Sequence, residues 1–137
     1  MASMTAASRH LRILVTCWEG GGNVPPTLGA VRALAGRGHD VRLIADDTMR
    51  AEAIEAGTRF LPWKRAPNRP DRSPESCFVR DWEPADPLAG FQRACERVFV
   101  GPARSYAQDI LEALAAEPVD MLLGSDMLFG RDRKSVV

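Results

Sequence analysis

Three consecutive glycines, Gly20 to Gly22, constrain this chain more than any other feature. They stand between an apolar run and a pair of prolines in RILVTCWEGGGNVPP, residues 12–26. Ile13, Leu14 and Val15 are consecutive and apolar, with Thr16 and Cys17 behind them, which predicts a strand covered on both faces over Arg12 to Cys17. The glycines break that strand, permit φ > 0 and let other groups approach the backbone closely. Pro25 and Pro26 suit the first turn of a helix, where an N–H has no partner to lose. Leu28, Val31, Leu34 and Ala35 then recur at helical spacing, Gly36 and Gly38 end the helix, and VRLIA at Val41 to Ala45 is a second apolar strand. Strand, helix, strand in this order is the crossover unit of a doubly wound parallel sheet, the α/β Rossmann-like class.

Later segments continue the pattern. A helix is expected from Thr48 to Ala56, capped by Asp47 or Thr48 and closed by Gly57, with a short strand from Thr58 to Leu61. Pro62 to Pro87 reads as a long loop with six prolines and the exposed-looking aromatics Trp63, Phe78 and Trp82. Loops of that length in a compact domain are usually functional or disordered. A helix from Leu88 to about Val100 carries Phe91, Cys95, Val98 and Phe99 on one side, and another spans Ala103 to Ala116 with Tyr106, Ile110, Leu111 and Leu114 as its stripe. Val119 to Leu123 is the fourth strand, followed by the turn Gly124-Ser125-Asp126. Four strands ending on a strand-end turn imply an incomplete doubly wound sheet.

Composition limits the partners. Eighteen basic and eighteen acidic residues leave no net charge, so neither nucleic acid nor an anionic membrane surface is favoured. Cys17, Cys77 and Cys95 are odd in number and lack CxxC spacing, which disfavours a disulfide framework or a zinc site and fits a reducing cytoplasm. No apolar run approaches the ~20 residues of a membrane span. Residues 1–10 are expected to be a loose leader and residues 11–130 the domain. Residues 131–137 are expected to be a non-native tail, because DRKSVV back-translates to GAT-CGG-AAG-AGC-GTC-GTG, which is similar to a common sequencing-adapter read.

Each candidate site residue has a plain reading beside its functional one. Gly20, Gly21 and Gly22 fit an anion held at a helix N-terminus, and equally a tight turn with no ligand. Pro25 occupies the third glycine position of GxGxxG, which counts against a dinucleotide site, and no GK[ST] is present for a P-loop. Asp46 fits a ribose ligand, but more naturally a helix cap or a solvated turn. Asp126 lies where open α/β sheets place their crevice; if its strand neighbours the first, it shares a rim with the glycine turn. His39 enters the second strand at the opposite edge, and His10 lies in the leader, so no histidine base is well placed. Trp63, Phe78, Trp82 and Phe91 fit an acceptor pocket or ordinary core anchors.

In order and spacing, RILVTCWEGGGNVPPTLGAVRALAGRGHDVRLIADD at residues 12–47, EAGTRFLP at 55–62 and VDMLLGSDMLFG at 119–130 resemble the N-terminal half of GT-B glycosyltransferases. The likeness is greatest to the macrolide, antibiotic and UDP-glycosyltransferase-like families, with RGHDV at Arg37 to Val41 a close match. The resemblance implies two Rossmann-like lobes facing a cleft, the N-terminal one for a small lipophilic acceptor and the C-terminal one for most of a nucleotide-sugar donor. It implies transfer with inversion, without an obligatory metal or other cofactor. A histidine in the first turn, oriented by a later aspartate, takes the acceptor proton in many members. The aspartate falls on Asp126, while the base position falls on Asn23, which has no useful basicity. Glu19 in the same turn, or Asp126 acting directly, is then the candidate base. The second lobe's donor motif is absent, so this chain alone is expected to bind donor weakly and not to turn over. The alternative is a self-contained nucleotide-binding Rossmann module with Asp46 on a ribose.

Overall fold

The computed structural model describes residues 9–124. The expected leader therefore falls largely outside the described residues, and the expected tail and Asp126 fall wholly outside them. The element order is β1 (Arg12–Thr16), α1 (Val24–Gly36), β2 (Asp40–Ala45), a 3-10 turn (Asp47–Met49), α2 (Arg50–Glu55), β3 (Arg59–Pro62), a second 3-10 turn (Pro74–Ser76), α3 (Pro87–Ala94), a π turn (Cys95–Phe99), α4 (Ala103–Ala116) and β4 (Met121–Gly124). The four strands form one parallel sheet in the order β3-β2-β1-β4.

Alternation along the strands assigns the helices to faces. Ile13, Val15, Val41, Leu43 and Ala45 point to one face, under Val31 of α1 and Met49 and Ala53 around α2. Leu14 and Ile44 point to the other, against Tyr106 and Ile110 of α4. β1 and β2 are thus apolar on both sides, as strands of a doubly covered parallel sheet are, whereas Met121 and Leu123 of β4 are exposed. Arg42 is the exception, a buried guanidinium in β2. It donates to the carbonyl of Ala113 at 3.1 Å and to that of Glu117, so it satisfies acceptors at the carboxyl end of α4 that no further helical turn would reach.

Several expectations need correction. The single helix over 48–56 is a 3-10 turn followed by α2, without side-chain capping by Asp47 or Thr48. The stripe of α3 does not continue to Phe99: Phe91 is 60% exposed, whereas Val98 and Phe99 are buried. The π turn is the cause. Its i→i+5 bond, from Val100 N–H to Cys95 O at 2.8 Å, adds a residue to the turn and rotates the residues beyond it relative to α3. Leu111 is likewise exposed on α4. Gly101 closes the π turn where a Cβ would lie 1.8 Å from the carbonyl oxygen of Glu96. Gly101→Ala is expected to lower stability by about 1–3 kcal/mol in urea unfolding, because backbone rather than a flexible side chain must yield. Unchanged stability would mean that the π turn relaxes freely.

Candidate functional site

The carboxyl ends of β1, β2 and β3 share one rim of the sheet, and the loops leaving them build the site. β4 pairs with β1, Thr16 facing Gly124, so the carboxyl end of β4 lies beside that of β1. Asp126 itself lies outside the described residues.

The turn after β1 is closed on itself. Asn23 Nδ2 donates to Trp18 O at 2.8 Å, and its Oδ1 accepts from Gly20 N–H at 3.1 Å, so the side chain at the expected base position braces the turn. A Cβ on Gly20 would lie 2.6 Å from the Trp18 ring and 2.8 Å from Asn23 Oδ1. Gly21 takes φ 78, in keeping with a glycine-rich turn. The N–H groups of Gly20, Gly21, Gly22 and Val24 are bonded to groups within the turn, and Pro25 and Pro26 have none. One N–H, that of Asn23, is not used in these bonds. A phosphate cradle needs several convergent N–H donors, so this turn is a poor anion site.

Asp46, at the end of β2, is neither a solvated turn residue nor a side-chain cap. It is 2% exposed. Its Oδ2 accepts from Glu19 N–H and its Oδ1 from Arg69 N–H, both at 2.8 Å, which joins the glycine turn to the loop after β3. With both oxygens engaged, it presents nothing to a ribose. Burial pushes its carboxyl up to about 6, against the pull of the two N–H groups and with a smaller push from the charge of Glu19.

Glu19 is also buried and fully partnered. Oε2 accepts from Thr48 Oγ1 at 2.8 Å and from Arg72 Nε at 3.0 Å, and Oε1 accepts from Gly21 N–H at 3.2 Å. In this arrangement Arg72 neutralises the candidate base.

Beside these groups lies a cleft of about 440 Å3 lined on one side by Trp18, Glu19, Gly20 and Gly21 and on the other by Arg69, Arg72, Cys77, Phe78 and Val79, with Val98 among its walls. Of the expected pocket aromatics, only Phe78 lines it. Trp63 is a correction: it is 2% exposed, donates from Nε1 to Cys17 O at 2.9 Å and packs edge-on to Tyr106. It is a core anchor because its indole N–H finds a carbonyl at the end of β1. Trp82 is 58% exposed and lines no part of this cleft. Sequence reasoning missed Trp18, whose ring meets Phe99 edge-on with centroids 5.1 Å apart. Its place between a strand and the glycines was the available signal. Among the described residues no group of three or more His, Cys, Asp or Glu side chains is placed to hold a metal, and no helix is long and apolar enough to cross a membrane.

Parallel strands under helices on both faces, with a cleft at the carboxyl rim, define a Rossmann-like α/β fold of the kind found in GT-B glycosyltransferases. No family model matches the chain, and no curated protein matches it. Among solved structures, it is similar to CalG4, the calicheamicin glycosyltransferase, at 26% identity and TM-score 0.65 over 90% of the chain and 29% of CalG4. It is also similar in fold to the glycosyltransferase of kitacinnamycin, at 20% identity and TM-score 0.63 over 89% of the chain and 26% of that protein. The chain thus spans less than a third of the length of either.

The buried carboxylate gives a pH test. Asp46 binds its proton more tightly folded, at about 6, than unfolded, at about 3.9, so its favourable contribution is complete below about pH 4 and is lost as pH rises through about 6. The stability of the wild type minus that of Asp46→Asn is expected to fall by about 2–3 kcal/mol between about pH 4 and pH 7 in urea titrations. A flat difference would show that folding does not perturb this carboxyl.

Proposed function

We propose that this chain is the acceptor-binding part of an inverting glycosyltransferase, which moves a sugar from a nucleotide-sugar to a hydroxyl of a small lipophilic acceptor. The observation that carries the reading is the cleft between the glycine turn and the loop after β3, with Trp18, Phe78, Val79 and Val98 as apolar wall and Glu19 among its lining residues. Such a wall suits a flat or ring-bearing apolar molecule, with polar groups at its edge to orient a hydroxyl. The likeness to CalG4 supports the same reading. The free cysteines Cys17, Cys77 and Cys95 fit a reducing compartment such as the cytoplasm.

In the reaction, a base removes the proton of the acceptor hydroxyl. The oxygen attacks the anomeric carbon, and the nucleoside diphosphate leaves from the opposite face. Asn23 orients the turn and takes no proton. Glu19 and Asp126 are the carboxylates assigned to the base, Glu19 once Arg72 releases it. The donor is assigned chiefly to a second lobe, so turnover belongs to a protein carrying both.

The dinucleotide alternative is weakened by the closed turn and by the engaged Asp46. Titrating the chain with hydrophobic phenols and polyols, and separately with NAD(P), is expected to give binding of the former alone. Tight dinucleotide binding would overturn the proposal. In a two-lobed enzyme carrying these residues, Glu19→Gln or Asp126→Asn is expected to lower kcat by about 100-fold or more. Full rate in both would remove these residues as the base.

A further inference from the structure

Residues 63–86 cross the carboxyl rim in two halves that are held differently. The first half is bolted by buried groups. Trp63 Nε1 reaches Cys17 O, Asp109 (3% exposed) accepts from the N–H groups of Lys64, Arg65 and Ala66, and Asp46 accepts from that of Arg69. Asn68 and Asp47 bond to each other. The second half, residues 70–86, is held by no buried carboxylate other than Glu19 among the described residues.

Its tethers are arginine side chains. Arg72 spans from Glu19 to Glu52, at 3.0 and 2.5 Å, with its own side chain 49% exposed. Arg93 reaches Glu83 at 2.7 Å and Arg80 O at 3.5 Å, and Arg97 reaches Phe78 O at 3.2 Å. The Arg69 side chain spans the junction to Ser73 O and Ser76 Oγ. Phe78 and Val79 add a small apolar contact with Ala94, Val98 and Phe99.

Cys77 and Phe78 form a partition with space on both sides. On one side is the cleft of about 440 Å3, and on the other an open groove of about 870 Å3 lined by Pro67, Pro70, Arg80 and Arg97 among others. Pro70 and Pro87 stand at the two ends of the segment, where they bring no N–H to be bonded. Half-exposed ion pairs contribute little and are screened by salt, whereas buried carboxylates receiving several N–H groups are not.

We propose that residues 70–86 form a lid over the cleft, bounded by Arg69-Pro70 and Asp86-Pro87 and latched by Arg72 across Glu19 and Glu52. Opening the latch frees the Oε2 of Glu19 from its cation while Thr48 still holds it. Lid position therefore sets the charge environment of the glycine turn. The lid does not depend on the transfer reaction, because its readout is amide exchange rather than turnover.

The test is hydrogen exchange read by mass spectrometry on the intact chain. Arg72→Gln is expected to speed exchange about threefold to tenfold in peptides covering 70–86, and to leave 40–69 unchanged. For the wild type, raising NaCl to about 1 M, where the Debye length is about 3 Å, is expected to do the same, which decides the matter even if the variant folds poorly. Unchanged exchange over 70–86 in salt, or equal acceleration over 40–69 and 70–86, would overturn the lid.

Discussion

The cleft depends on one carboxylate serving two backbones. Asp46 sits where β2 ends and receives an N–H from the glycine turn on one oxygen and an N–H from the loop after β3 on the other. Neither an amide nor a hydroxyl offers two acceptor oxygens in that geometry. A buried carboxylate without such partners would be strongly disfavoured, and with them it becomes a rigid link. The link explains why Glu19 can also be buried nearby: its backbone is fixed by Asp46, and Arg72 and Thr48 complete its side chain. The rim is thus an ordered run of acceptors and donors, with the cleft left beside it.

The closed glycine turn narrows the chemistry. In a dinucleotide site the turn donates outward, to phosphate. Here it donates inward, to Trp18 O, Asn23 Oδ1, Glu19 and its own carbonyls. What remains beside it is a cleft lined in part by Trp18, Phe78, Val79 and Val98.

The sheet was legible in the sequence because burial on both faces leaves little freedom. Ile13, Leu14 and Val15, or Val41, Leu43 and Ile44, have no other economical arrangement, and the glycines and prolines punctuate them. Strand ends shifted by one or two residues, where edge hydrogen bonds rather than composition decide. The site was less legible. Trp63 and Phe78 look alike in a proline-rich loop; what separates them is a carbonyl at the end of β1 that captures the indole N–H. Asp46 reads as a turn residue until the distant Arg69 N–H is brought to it. An amide side chain at Asn23 offers no basicity by residue type alone, but its bracing of the turn depends on a backbone conformation that residue types do not reveal.

The π turn carries a consequence for how such a cleft can diversify. Val98 and Phe99 face inward, and Leu88 and Phe91 outward, because one additional residue is looped into a single helical turn. Removing or adding a residue there would swing the inner wall by roughly a quarter of a turn without touching the sheet. A single-codon insertion or deletion there would therefore reshape the wall formed by Val98 while leaving the carboxyl rim of the sheet unchanged.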